Sequence, residues 1–213
     1  MILGTFNGAS IISVPWDTLP RIQGPSSIEW NPQEVVATAA SPFTGQTQVY
    51  DWQTSWWEAQ VSFPSMNRYS ADALSSFLLE CRGQSNVFSL GDPKAAIPKG
   101  VASGSPVVNG AGQSGYFLAT RGWTPSITSI LLTGDFLQVG YRLYKVLDSV
   151  NSDSSGDASI HVWPNLRDLP ADGTQIITRN CKGLFRLSAN SGNKWSTNPG
   201  TYGFTGFSIR EAI

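Results

Sequence analysis

Nine residues, SWWEAQVSF at positions 55–63, alternate without a break. Trp57, Ala59, Val61 and Phe63 fall on one side, and Trp56, Glu58, Gln60 and Ser62 on the other. A period of two with one apolar side is the pattern of a strand that rests one face on a core. A helical period is found in one place. Ala71, Leu74, Phe77, Leu78 and Cys81 make a single apolar stripe, Ser70 stands where an N-cap belongs, Asp72 suits the first turn, and Gly83 falls where a terminating glycine should. The spacing predicts a helix over 71–82 docked on a sheet. Its core would set Leu74, Phe77 and Leu78 against Trp57, Val61 and Phe63.

Elsewhere the chain reads as strands. Residues 46–52 (QTQVYDW) are expected to pair with 55–63 across a tight turn near Thr54, and 26–30 and 87–90 are shorter candidates. Pro64 and Pro93 close segments, because proline cannot donate to a ladder. After Gly91-Asp92-Pro93 the composition shifts to Gly, Ala, Ser and Pro over 94–115, which marks a second unit. Strands are expected at 136–139, 141–150, 158–163, 174–178 and 184–187, with turns at Asn151–Asp157 and Pro170–Gly173. Short strands at this spacing build a small barrel or sandwich. Residues 188–202 read as loop, and GFTGFSIREA as a last strand returning to the first sheet. The expected fold is mainly β. A β-sandwich domain with one short helix, from 1–93 with 181–213, carries an inserted small β-barrel or sandwich at 94–180.

Composition narrows the function. Charged residues are 14% of the 213, aromatics are 11% with eight Trp, and net charge is −1. Ordinary globular chains carry about 25% charge. Few charges predict a surface that does not all face water, and the balance lacks the basic footprint of a sequence-specific nucleic-acid binder. No apolar run approaches the roughly 20 residues of a membrane span. The start, MILGTFNGAS, lacks the charged and apolar regions of a signal peptide, which predicts synthesis in a cytoplasm.

No motif for catalysis stands out. Gly110-Ala111-Gly112-Gln113-Ser114-Gly115 matches G-x-G-x-x-G, but the YFLAT that follows reads as a strand where a dinucleotide site needs a helix. Residues 151–157 resemble the start of a calcium loop. Val162 stands where a bidentate Glu is required, so a polar turn is the better reading, with a weak site at Asp153 and Asp157 as the alternative. His161 is the one histidine and sits mid-strand, opposite in direction to Ile160 and Val162, with no nucleophile elbow in the chain. Cys81 and Cys181 lie a hundred residues apart and read as separate buried thiols, a disulfide being the alternative. No catalytic residue, metal ligand or cofactor is expected. The acids most suggestive of a glycosidase pair, Asp51 and Glu58, have an ordinary reading as strand residues.

The aromatic cluster points instead to an interface. Alternation turns Trp56 outward beside Glu58 and Gln60, which calls for a cover: a partner chain, a second domain, or the segment 31–45 folded over it. Trp52, Trp56, Glu58, Phe43 and Tyr50 are the expected interface residues. The segment 31–49 reads as a connection long enough to be functional and is expected to reach a neighbouring subunit or a tube.

Several stretches together resemble one family. They are Ser41-Pro42-Phe43-Thr44-Gly45 with Gln48-Val49-Tyr50-Asp51-Trp52, Trp57-Glu58-Ala59 and Phe63-Pro64-Ser65-Met66. Phe77-Leu78, Arg82-Gly83, Phe88 and Gly91-Asp92-Pro93 follow. Farther on come Gly134-Asp135, Leu143-Tyr144, Asp153 with Gly156, and Pro164-Asn165-Leu166-Arg167. In this order and spacing, over 41–187, they look like distal-tail or tail-tip structural proteins of long-tailed, non-contractile bacteriophages. The resemblance implies a ring, commonly a hexamer, that joins the tail tube to the tip or hub proteins. It also implies a virion protein made in the host bacterial cytoplasm, and an outer β domain available to a host glycan or receptor. A carbohydrate-binding β module is the competing class, suggested by the tryptophans, and a glycosidase using Asp51 and Glu58 is a third.

Overall fold

The computed structural model describes residues 2–191 and 194–213. In chain order its strands begin with β1 (Ile2–Phe6) and β2 (Ala9–Ile12), followed by a short helix α1 (Pro15–Thr18). Then come β3 (Ser27–Ala40), β4 (Thr47–Ser62), helix α2 (Arg68–Glu80) and β5 (Val87–Leu90). A single 3-10 turn, Pro93–Ala95, precedes β6 (Gly104–Val108), β7 (Gly115–Trp123), β8 (Phe136–Val139), β9 (Arg142–Val146), β10 (Ala158–Leu166) and β11 (Ile176–Ile177). The chain closes with β12 (Gly183–Leu187), β13 (Trp195–Asn198), β14 (Thr201–Phe204) and β15 (Phe207–Glu211). The protein is mainly β with little helix.

The fold divides into two compact units. One takes the residues up to Asn31, Trp57–Leu90 and Gly183–Ile213; the other takes Pro32–Trp56 and Gly91–Lys182. Residues 32–56 therefore keep company with the second unit, not with the first as the sequence segmentation had them.

The first unit is built on a sheet ordered β1-β2-β5-β12-β15-β4-β3. The returning strand β15 lies between β12 and β4, with Phe207 opposite Val61, Ile209 opposite Ala59, and Leu187 opposite Ile209. The burial of residues 55–63 alternates as their sequence does, with Trp57, Ala59, Val61 and Phe63 buried. Phe77 and Leu78 of α2 are buried over this face with Leu74. Phe77 meets Phe88 edge-on at 5.1 Å between ring centroids and Phe207 at 6.3 Å, while Trp16 of α1 packs on Phe63 at 5.5 Å. Each such aromatic removed from water contributes about 1.5–3 kcal/mol.

Helix α2 starts earlier than its apolar stripe predicts. Asn67, not Ser70, is the N-cap, and its side chain accepts the Ser70 N–H at 3.0 Å. Ser70 is buried inside the helix. The stripe marks where burial begins, and the first turn is held by capping instead. The helix ends at Glu80, with Cys81 as its C-cap, two residues short of the expected 82, and Arg82 and Gly83 beyond it are both in the left-handed region. A side chain at Gly83 would come within 2.7 Å of the Asn190 carboxamide, so glycine is required there for space as well as for conformation.

Two connections differ from expectation. Strand β4 runs unbroken from Thr47 to Ser62, so 46–52 and 55–63 are one strand and not a hairpin. Near Thr54 the chain makes only a local irregularity. Gln53 has a positive φ, and its N–H donates to the Asp51 carboxylate at 2.7 Å. The true turn is at 41–46, where the Ser41 N–H reaches the Gln46 carbonyl at 2.8 Å and Gly45 adopts a positive φ. The supposed loop 31–45 is thus mostly strand β3. The tail is also partly ordered as strand: β13 and β14 pair, and Tyr202 bridges Met66.

The second unit is a small barrel. Its sheet is ordered β11-β8-β9-β10-β7-β6, and a bridge between Val107 and Gln175 brings β6 back to the chain just before β11. Strand β9 stops at Val146, short of the 141–150 expected, and β12 belongs to the other sheet. The interior is filled by Leu118, Ile130, Leu131, Leu137, Val146, Ile160 and Val162 with their neighbours. Buried Asp135 ties the connecting segments together, accepting the N–H groups of Lys99, Gly100 and Leu132 at 2.8, 3.0 and 2.9 Å. Three donors of this kind satisfy a carboxylate that would otherwise be costly to bury.

Candidate interaction surface on the hairpin arm

Residues 32–56 form an arm made of the outer halves of β3 and β4. Unlike a strand in a sandwich, it exposes apolar side chains on both faces. Val49 and Tyr50 are adjacent, point to opposite sides and are 60% and 49% exposed. Trp52 is 65% exposed, Phe43 at the turn is 94% exposed, and Val35 and Val36 are exposed on the other strand. Trp56 is only half-buried. A two-stranded ribbon alone in water is marginal at best, since it has no core to hold it.

What holds the arm is a set of polar clasps to the barrel. The Trp163 indole N–H donates to Glu34 at 2.6 Å. Ser55 is buried; its hydroxyl donates to the Asn165 side-chain oxygen at 2.9 Å and accepts the Asn165 backbone N–H at 3.1 Å. The Asn165 amide donates to the carbonyl of Gln53. The Tyr116 hydroxyl donates to Asp51, and burial, with the charges of Asp51 and Glu34 beside it, holds that phenol above its ordinary range. The arm is therefore fixed at its base and bare beyond it. Sequence reading named Phe43, Tyr50 and Trp52, which are exposed, but not the clasps: single polar residues far apart in the chain carry no periodic signal.

The other candidates have local explanations. Asp51 and Glu58 fall in different units with different partners, Asp51 with Gln53 and Tyr116, Glu58 with Arg210 at 3.8 Å. The glycine-rich stretch 110–115 joins two strands and is braced from within. Gln113 donates to the Asn109 carbonyl at 2.8 Å and accepts the Ala119 N–H at 2.6 Å, and the Gly110 N–H donates to Asp172. The Arg121 guanidinium, with that N–H, holds the Asp172 carboxyl down at about 2. Asp153 spends an oxygen on the N–H groups of Asp157 and Ser155, which lower its pKa and make the 151–157 segment a self-bonded turn. Among the described residues no three His, Cys, Asp or Glu side chains gather as a metal site. Cys81 and Cys181 are both buried and free, and burial pushes each thiol up to about 12. Among the described residues no helix is long and apolar enough to cross a membrane.

No protein-family model matches this chain, and no curated protein matches it.

Proposed function

We propose that this chain is a structural subunit of a bacteriophage tail tip. Copies would form a ring, commonly a hexamer, that joins the tail tube to the hub and the host-recognition apparatus. The observation that carries the reading is the arm. Phe43, Val49, Tyr50 and Trp52 are held out in water on a ribbon that has no core of its own. Large aromatics of this kind are what subunit interfaces bury at their centres. An arm reaching onto the next copy makes a head-to-tail contact, and such contacts close into rings when the rotation allows. The low charge content and the sequence resemblance point the same way. The protein would work by assembly and not by catalysis, within the virion, after synthesis in the host cytoplasm.

The test is the solution mass by light scattering, with negative-stain images of the same peak, for the native chain and for Phe43→Ser/Trp52→Ser. Closed rings in the native sample, lost in the variant, support the reading. A native protein that stays monomeric even when mixed with tail-tube ends contradicts it.

A further inference from the structure

The first unit carries a charged feature that ring assembly does not explain. Strands β4, β15 and β12 lie side by side, and their register sets Glu58 opposite Arg210 and Arg210 opposite Arg186. These residues alternate with buried Ala59, Ile209 and Leu187, so they share the face of the sheet that those three turn away from. Two guanidinium side chains directly opposite on adjacent strands repel each other, which is destabilising. Arg210 has an acid beside it, with Nε 3.8 Å from Glu58 Oε1. Arg186 is half-buried, and among the described residues no hydrogen bond or ion pair holds its guanidinium. The row Glu58–Arg210–Arg186 therefore has one positive charge in excess.

Both arginines line a cavity of about 240 Å³, with Gln84, Leu187, Glu211 and Ile213. Glu211 is spent elsewhere. It stands in register with Phe185, so its side chain leaves the other face of the sheet, where it is buried and accepts the Trp57 N–H at 3.1 Å. Gln84 is anchored at the rim. Its Nε2 donates to the Ser188 carbonyl at 2.6 Å and its backbone N–H to the Asn190 side chain at 3.0 Å. On the arginine side of the sheet the next residues are apolar. Leu184 and Ala212, two positions from Arg186 and Arg210, are buried in a cluster with Ile11 and Val87. A charge beside such a cluster is less screened than one in open water, and its pull on an opposite charge is stronger.

A guanidinium is a planar fork of N–H donors that matches the oxygens of a carboxylate or a phosphate. A carboxylate has two oxygens and fills one fork. A tetrahedral oxyanion has enough oxygens to meet both forks at once, and its charge relieves the repulsion between them. We infer that Arg186 and Arg210, with Gln84 beside them, form a binding site for an oxyanion of the phosphate class, either free phosphate or a phosphate ester. The inference does not rest on ring assembly, and the two can fail separately.

The test is titration calorimetry of the intact protein with inorganic phosphate, and separately with methyl phosphate, at constant ionic strength in a chloride buffer. Saturable binding is expected, with a dissociation constant of about 1 mM or below. Tighter binding of inorganic phosphate assigns the site to the free anion; equal or tighter binding of methyl phosphate assigns it to an esterified group. Arg186→Gln and Arg210→Gln should each weaken binding about tenfold or more, and Arg186→Lys, which keeps the charge but not the planar fork, should fall between. Lys94→Gln, at an exposed cation of the other unit, should leave binding unchanged. In phosphate-free buffer Arg186→Gln should unfold at a denaturant midpoint no lower than that of the native chain, since it removes one of two facing like charges, and this separates a lost site from a damaged fold. No saturable heat with either phosphate compound overturns the inference. So does binding retained in both glutamine variants, or equal binding of acetate, which would mark a general cationic surface.

Discussion

The two halves of β4 are one strand with opposite physics. From Ser55 to Ser62 every second side chain is buried; from Thr47 to Thr54 all are exposed. The first half rests a face on a core, so a shift of one residue would carry Trp57, Ala59 and Val61 to the wrong side. The second half has no core on either side, and its register is fixed by the turn at 41–46 and by polar clasps at its base. Apolar residues in the inner half stabilise the fold. In the outer half they are exposed to water and stabilise nothing within the chain's core.

That contrast can be broken by substitution, beginning with the largest effect. Phe77→Ala should cost about 3–5 kcal/mol in denaturant unfolding, since its ring contacts Phe88, Phe207 and Trp16. Phe43→Ala should change the same measurement by less than about 0.5 kcal/mol. A loss at Phe43 as large as at Phe77 would mean the arm is part of the folding core. Trp52→Ala should weaken subunit association by about 2 kcal/mol or more in sedimentation equilibrium, with unfolding of the dilute protein unchanged. Asn165→Ala should cost about 1–3 kcal/mol, because it strips partners from buried Ser55 and from the Gln53 carbonyl. Hydrogen exchange should then rise in residues 47–56 before it rises in the barrel strands.

The smallest effect concerns pH. The Asp172 carboxyl is lowered from its ordinary 3.8 to about 2 in the folded protein by Arg121. A depressed folded value gives stability that is present above the unfolded pKa and is lost as pH falls from 3.8 toward 2. Asp172→Asn should therefore lower stability at neutral pH and differ least from the native protein at the acid end, which flattens the acid limb of the profile. An unchanged acid limb would show that this exposed pair carries nothing measurable.

What could be read in advance follows the same division. The inner half of β4, helix α2 and the returning strand β15 were legible because one-sided burial writes a period into the residues. Ser70 was misplaced as a cap because capping is decided by one hydrogen bond, and Asn67, Ser70 and Asp72 are all able to make it. The hairpin 27–62 was misread because a ribbon without a core has no alternation, and the Gln53 irregularity resembles a turn. Exposed Phe43, Tyr50 and Trp52 could be named from residue type, while Glu34, Tyr116, Ser55 and Asn165 needed the fold to bring them together. The Arg186–Arg210 pair was invisible for the same reason: each residue is ordinary until the register of β12 and β15 sets them opposite each other.

The position of β15 has a consequence for the order in which the molecule can form during synthesis. The barrel strands all lie within residues 91–182, so that unit can close as soon as this stretch has left the ribosome. The seven-stranded sheet cannot, because residues 207–211 fill the gap between β12 and β4. Until they emerge, both of those strands present unpaired edges, and edges of this kind recruit other chains. Residues 207–211 are thus the ones that close the edges of an adhesive intermediate and complete the sheet.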